Sequence, residues 1–388
     1  MRRVRVGLDG RALGNVNRHR GIGRYTACLV EGLAEGGGDY RFLLFGYGRE
    51  PEPGLLAPGT LAGLEWREIP RSGNLPYLSL LGDHLLFARA VRDAGVDLFH
   101  AMDHNMSPFL DCPSLVTVHD LIPLVLGGPY LGPTSRLWMR AHRRAARKAD
   151  VVVAVSENTR RDVERLWGIP AERIAVVPEG VSAIYRPVGD RGAVEETAAR
   201  YGVSRPYFLY LGGFDPRKNI RNMLLSFKRF LLAGGGRYQM ALCGDAGVFR
   251  RYLHDEIEEL GLEGKVVLCG FVEEESLPAL YSGAVAFLCL SLYEGFGLPL
   301  LEAMACGCPV IASRAASIPE VAGDAAVLVD PLDPADIVAA MERLVGEPES
   351  RQRCVEKGLR RSSLFRWDKT VGLIHMLYEK ALKGGGRD

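Results

Sequence analysis

No sign of charge predominates in this chain. Its 48 Lys and Arg residues are set against 47 Asp and Glu, for a net charge of +1. A global field able to hold nucleic acid, or a membrane by electrostatics alone, is thereby excluded. None of the eight cysteines (Cys28, Cys112, Cys243, Cys269, Cys289, Cys306, Cys308 and Cys354) forms a Cys-x-x-Cys pair. Most lie in apolar runs such as Met240-Ala241-Leu242-Cys243, where a thiol behaves as a small hydrophobe. The pattern reads as a reduced, cytoplasmic one, with neither a disulfide framework nor a zinc site. No apolar run approaches the ~20 residues of a membrane helix. The charged start, Arg2-Arg3-Val4-Arg5, has no apolar stretch after it, so no signal peptide is expected.

What is present is a globular composition: 47% hydrophobic and 24% charged over 388 residues, enough for two to three domains. Short β-branched runs alternate with helical patterns in two series. The first is Val4–Leu8, Arg41–Phe45, Asp97–His100, Ser114–Val118, Val151–Val155 and Ile174–Val177. The second is Tyr207–Leu211, Gln239–Cys243, Lys265–Cys269, Val285–Leu290, Pro309–Ala312 and Ala326–Val329. Apolar strands between amphipathic helices predict parallel sheets covered on both faces, hence two doubly wound, Rossmann-like α/β domains. The break is expected at a linker in Tyr185–Gly192, giving domains 1–185 and 186–366 and a terminal segment 367–388. Apolar spacing predicts one helix over Trp367–Lys383, and the Gly384-Gly385-Gly386 tail is read as unstructured.

Ligands of such folds sit at the carboxyl ends of the strands, so the residues after each strand matter most. The richest segment follows Val285–Leu290 and runs from Ser291 through Glu294-Gly295-Phe296-Gly297-Leu298-Pro299 to Glu302 and Gly307. Gly295 and Gly297 permit close backbone approach. Pro299 suits the first turn of a helix and Gly307 its end. A helix N-terminus so framed offers free N–H groups to a diphosphate. Glu302, read as lying in that helix's first turn, is suited to two vicinal hydroxyls such as those of a ribose. Glu294, eight positions earlier, reaches another part of the same ligand.

The Glu294–Glu302 segment resembles the E-x7-E signature of retaining GT-B glycosyltransferases, specifically glycosyltransferase family 4. The resemblance covers nearly the whole chain and lies nearest to bacterial mannosyl- and rhamnosyl-type transferases of polysaccharide and O-antigen assembly. It implies two facing Rossmann-like domains with a nucleotide-sugar cleft, acceptor held by the first and donor by the second. It also implies a last helix crossing back to the first domain. Glu302 would bind the nucleotide ribose and Glu294 the donor sugar, with the backbone of Gly295, Phe296, Gly297 and Leu298 against sugar and diphosphate.

Further segments follow strand ends. In Leu211-Gly212-Gly213-Phe214-Asp215-Pro216-Arg217-Lys218-Asn219, two cations at a strand-to-helix turn suit a diphosphate and would stabilise it as a leaving group. Lys218 matches the family lysine. The position where the family often has Arg is Gly213, and Arg217 is the candidate substitute. In His19-Arg20-Gly21-Ile22-Gly23 a Gly-rich turn opens a helix. The resemblance sets Gly21 against the donor diphosphate, with Gly23 serving close packing. In Thr117-Val118-His119-Asp120, it implies that His119 touches the transferred sugar and that Asp120 orients it or binds acceptor. His100 and His104 are read as acceptor-side residues. Val272, whose backbone is placed to read a base edge, and Leu277 complete the donor set. Ser135–Lys148, with six basic residues and no acid, reads equally as a helix lying on anionic lipid or as a solvated face.

The expected reaction is transfer of a hexose, mannose from GDP-mannose being favoured, to a glycan or polyprenyl-linked acceptor with retention. No cofactor or obligatory metal is expected. A UDP-sugar-dependent transferase, a GT-B nucleotide-sugar epimerase or hydrolase, and an inactive nucleotide-sugar-binding scaffold are the alternatives.

Overall fold

The computed structural model describes residues 3–15, 18, 21–36, 39–48, 56, 57, 59–69 and 76–384, apart from the side chains of 62 and 76–81. His19, Arg20 and the Gly385-Gly386 tail lie outside the described residues. Two compact units divide the chain: Met1–Gly180 together with Trp367–Asp388, and Val181–Arg366.

The first unit is built on seven parallel strands: β1 (Val4–Asp9), β2 (Tyr40–Tyr47), β3 (Glu65–Ile69), β4 (Leu98–Ala101), β5 (Ser114–Val118), β6 (Val151–Ala154) and β7 (Ile174–Val176). They lie in the order β3-β2-β1-β4-β5-β6-β7. β4, β5 and β6 are buried at every residue, which is why they read as largely apolar runs. β3 is absent from the sequence reading. It is an edge strand whose Glu65, Arg67 and Glu68 face outward in part, the composition that discourages further pairing. Its Trp66 covers Gly46 of β2 so closely that a Cβ there would lie 2.1 Å from the indole.

The helix Trp367–Gly384 belongs to this first unit. Thr370, Val371, Ile374, Tyr378 and Ala381 are its buried residues, spaced along one face at helical period. Val371 packs where a Cβ on Gly32 would stand 2.6 Å from it. The Thr370 hydroxyl donates to the Pro178 carbonyl at 2.8 Å.

The second unit carries β8 (Tyr207–Leu211), β9 (Gln239–Cys243), β10 (Val266–Gly270), β11 (Phe287–Cys289), β12 (Val310–Ser313) and β13 (Val327–Val329). Their order is β10-β9-β8-β11-β12-β13, all parallel. Tyr185–Gly192 is no free linker but part of this unit. The Tyr185 hydroxyl donates to Glu274 at 3.1 Å, and Val188 N donates to the Ser282 hydroxyl at 3.0 Å. Asp190 caps the helix Arg191–Arg200 through the N–H groups of Gly192 and Ala193. Tyr185 therefore belongs with the second unit, and the division falls after Gly180.

In both sheets the third, second and first strands run outward on one side and the fourth onward on the other. The chain reverses direction of winding between β1 and β4, and again between β8 and β11. Ligand sites of doubly wound sheets form at such switch points.

Candidate active site

The loops after β8 and β11 meet at the second switch point. Leu292 N donates to the Arg217 carbonyl at 2.7 Å, which ties one loop to the other. Gly212, at φ 155, begins the turn, and the Tyr210 hydroxyl donates to the carbonyl of Gly213. Asn219 takes a left-handed conformation at φ 59. Its amide donates to the carbonyls of Leu290 at 3.3 Å and Pro331 at 2.6 Å.

This turn aims both cations at one carboxylate. Lys218 Nζ lies 2.5 Å from Glu294 Oε1 and Arg217 Nη1 lies 2.8 Å from Oε2. The Ser291 hydroxyl adds a third donor to Oε1 at 2.7 Å. Arg217 also reaches Asp215 at 3.1 Å and the Tyr293 carbonyl at 3.1 Å. Burial alone would push the Glu294 carboxyl up. The charges of Lys218 and Arg217, with the bonds from Lys218 and Ser291, outweigh it and bring the group down to about 2. Below it the Ser317 hydroxyl donates to the carbonyls of Glu294 at 2.9 Å and Phe296 at 3.1 Å, fixing the loop.

Gly297, at φ 106, turns this loop into the helix Leu298–Ala305, with Pro299 in the first turn. The helix ends as its glycine suggests: Gly307, at φ 70, lets Cys308 N reach the Ala303 carbonyl at 2.9 Å. Glu302 is not in the first turn. It is the fifth residue of the helix, 1% exposed, and the Tyr281 hydroxyl donates to its Oε2 at 3.1 Å. Val272 and Leu277 are both buried, Leu277 opening the helix Leu277–Gly283.

The first unit holds the remaining candidates. Gly21 begins the helix Gly21–Glu35 and is exposed, whereas Gly23 is buried in it. His119, at the end of β5, is 7% exposed. Its Nε2 donates to the Met102 carbonyl at 2.9 Å, and Nδ1 stands 3.2 Å from Glu179 Oε1. Burial would lower its basicity, but the bond to Glu179 and that carboxylate's charge raise it above the usual value. The Tyr25 ring meets it edge-on at 4.6 Å. Asp120 does not turn to His119 in these contacts; its Oδ1 accepts from Ile122 N at 3.1 Å and starts a short helix.

His100 is an interior residue and not an acceptor-side one. It is fully buried, with Nδ1 2.9 Å from the Tyr378 hydroxyl and Nε2 2.9 Å from Thr117 Oγ1. Burial first, and then the neighbouring His119 charge, lower it to about 3. Its strand-end position invited a surface role, but the terminal helix covers it. His104 is half-buried, its ring 4.8 Å from that of His142. On the basic helix Pro133–Lys148, Arg143 and Arg147 donate to the Trp167 carbonyl at 2.9 and 3.0 Å, and Lys148 donates to the Pro108 carbonyl at 2.8 Å. Those three serve as fasteners within the unit, although Arg147 and Lys148 are exposed, as are Arg136, Arg140 and Arg144.

Four groups escaped the sequence reading. Ser291 and Ser317 support Glu294, Tyr281 supports Glu302, and Glu179 partners His119. Of these, only Glu179 carried a signal, as a carboxylate shortly beyond the apolar strand β7, which lies two places along the sheet from β5. At the first switch point, Arg11 pairs with Asp9, Nη2 to Oδ2 at 2.6 Å, with both side chains buried. The Asp9-Gly10-Arg11 sequence at the end of β1 was its visible mark. Among the described residues no group of three His, Cys, Asp or Glu side chains could hold a metal ion.

Comparison with known proteins places the chain. The model described as Glycosyltransferase Family 4 matches residues 19–183, and that of Glycosyl transferases group 1 matches 196–361. An O-antigen chain mannosyltransferase B of Escherichia coli is 31% identical over 283 residues, covering 72% of this chain and 74% of that protein. A serotype-specific mannosyltransferase of Escherichia coli is 25% identical across 94% of this chain, which spans only 47% of that relative. Among solved structures, sucrose-phosphate synthase from Thermosynechococcus elongatus superposes with a TM-score of 0.78 at 22% identity, over 98% of this chain and 100% of that one. That likeness concerns the fold, which is GT-B. The chain belongs to glycosyltransferase family 4, and it is a glycosyltransferase.

Proposed function

We propose that the protein transfers mannose from GDP-mannose, with retention, to a glycan or polyprenyl-linked acceptor in the assembly of a cell-surface polysaccharide. The observation that carries this reading is the Lys218–Glu294–Arg217 cluster at the switch point of the second sheet, in a chain whose relatives include mannosyltransferases of O-antigen chains.

In this reading the donor diphosphate exchanges into the field of Lys218 and Arg217, beside the N-terminus of the helix Leu298–Ala305 and the turn at Gly213. Glu294 passes from those cations to the hydroxyls of the donor sugar, and Glu302 takes the ribose. Val272 and Leu277 flank the base. Gly21 and His119 serve the diphosphate and sugar from the first unit, with Asp120 and His104 toward the acceptor. Neutralising the departing diphosphate lowers the barrier to cleavage of the anomeric C–O bond. A carboxylate engaged by the hydroxyls of the donor sugar is not placed as a nucleophile, so a glycosidase-like double displacement is disfavoured. The acceptor oxygen instead attacks from the face the phosphate leaves, and its proton passes to the departing phosphate oxygen. No divalent ion is required for departure, because two protein cations do that work. Attachment to an anionic membrane surface from the cytoplasmic side would use Arg136, Arg140 and Arg144.

The test is a donor screen by thermal shift, followed by product analysis. GDP-mannose is expected to raise the melting temperature more than UDP-glucose or ADP-glucose, and the product is expected to carry an α-linked mannose with EDTA present. A larger shift with a UDP-sugar, a β-linked product, or loss of turnover on chelation would each remove one part of the proposal. Release of free mannose without need of acceptor would favour the hydrolase reading.

A further inference from the structure

The opposite edge of the second sheet carries a cavity that the transfer reaction does not use. It has a volume of about 520 Å³ and is lined by Arg205, Arg237 and Arg351, among others, with no carboxylate in its lining. Arg205 and Pro206 immediately precede β8, Arg237 and Tyr238 precede β9, and Val285 lies just ahead of β11. Lys218 and Glu294 follow the carboxyl ends of β8 and β11. Since a strand rises ~3.3 Å per residue, five residues of β8 separate the two places by roughly 16 Å.

Three guanidiniums around one recess repel one another, and none can shed its proton at any physiological pH. Two of them are nevertheless held in position. The Arg237 guanidinium lies 5.3 Å from the centre of the Tyr238 ring, and its Nη2 donates to the neighbouring hydroxyl at 3.2 Å. Arg351 donates to the Ala284 carbonyl at 3.4 Å. The nearby acids are engaged elsewhere: Glu347 accepts from the Ser350 hydroxyl at 2.6 Å, and Glu356 accepts from the Gln352 amide at 3.0 Å. An unrelieved positive array with fork-shaped donors matches a phosphate group. Gln352 apart, the rest of the wall is largely apolar, with Tyr238, Leu344 and Val355 among its residues. The volume is that of a small-molecule site.

We infer that this cavity is a second ligand site, which binds a soluble organic phosphate monoester: phosphate on the arginines, apolar body against Tyr238, Leu344 and Val355. The inference is independent of the donor assignment.

Calorimetric titration of the full chain with phenyl phosphate tests it, with phenol, inorganic phosphate and phosphatidylglycerol vesicles as comparators. Phenyl phosphate is expected to bind more tightly than inorganic phosphate, and phenol not at all. Arg351→Gln is expected to weaken phenyl phosphate at least ~tenfold, the scale of one charge-assisted hydrogen bond. Lys218→Ala, at the other edge, is expected to leave it unchanged. Arg205 is exposed, so Arg205→Gln gives the same reading without risk to the fold. Absence of phenyl phosphate binding overturns the proposal. So does binding that survives both arginine changes but falls with Lys218→Ala. Equal affinity for inorganic phosphate overturns the apolar part, and binding only to vesicles overturns the soluble ligand.

Discussion

His119 and Glu179 form a buried pair in which the imidazole Nδ1 stands 3.2 Å from the carboxylate Oε1 while Nε2 is committed to a backbone carbonyl. The histidine most open to a catalytic reading thus has both ring nitrogens engaged within its own unit. Because its folded-state basicity is raised, the pair stabilises fully below the unfolded value of 6.5, and the contribution is lost as pH rises through the folded value. Glu179→Gln is expected to cost ~3–5 kcal/mol, as for breaking a buried ion pair. Urea unfolding should show a larger deficit at acidic than at alkaline pH. A deficit constant with pH would mean that the pair is not charged.

The opposite dependence is expected from His100. Lowered to about 3, it is neutral in the fold, so its contribution is present above the unfolded value of 6.5 and is lost as pH falls toward 3. His100→Ala should destabilise by ~2–4 kcal/mol, from a buried gap and the hydrogen bonds lost by the Tyr378 and Thr117 hydroxyls. Its kcat/KM should stay within about twofold of the parent. A large loss of kcat at unchanged stability would return His100 to the acceptor side.

Lys218→Ala should lower kcat by ~10²–10³, the scale of one preorganised electrostatic donor. Stability should fall far less, since Arg217 and Ser291 still hold Glu294. In a double-mutant cycle with Glu294→Gln, the stability coupling should be ~0.5–3 kcal/mol. With the Glu294 carboxyl lowered to about 2, this contribution is present above its ordinary 4.5 and is lost as pH falls from there toward 2. Equal losses of turnover and stability would make the lysine merely structural.

For the ribose assignment, Glu302→Ala should weaken GDP by at least ~tenfold, or about 1.4 kcal/mol, in calorimetry. Tyr281→Phe removes the donor at 3.1 Å and should weaken GDP as well, by less. Unchanged GDP affinity in Glu302→Ala would leave that carboxylate with a packing role alone.

Among the described residues, apolar runs made twelve of the thirteen strands legible, because strands covered on both faces have few polar positions. β3 escaped because an edge strand is half-exposed and its charges break the run. The glycines and Pro299 marked the helix Leu298–Ala305 correctly, since positive φ and a missing N–H are local demands. Depth was not legible. His100 and His119 both end apolar strands, and nothing in their neighbours says that Tyr378, nearly three hundred positions away, closes over one of them. Nor could spacing reveal that Arg217, Lys218 and Glu294 satisfy one another, because the β8–β11 adjacency brings them together.

The helix Trp367–Gly384 has one last bearing. Since it completes the unit begun at the other terminus, the second unit is nested in the first as an insert is nested in a host gene. A single cut at 180 would strand the host without its covering piece, exposing Val371, Ile374 and Tyr378 on one fragment and their seats on the other. Excising 181–366 as a block respects both cores, and any dissection of the enzyme into halves has to follow that seam.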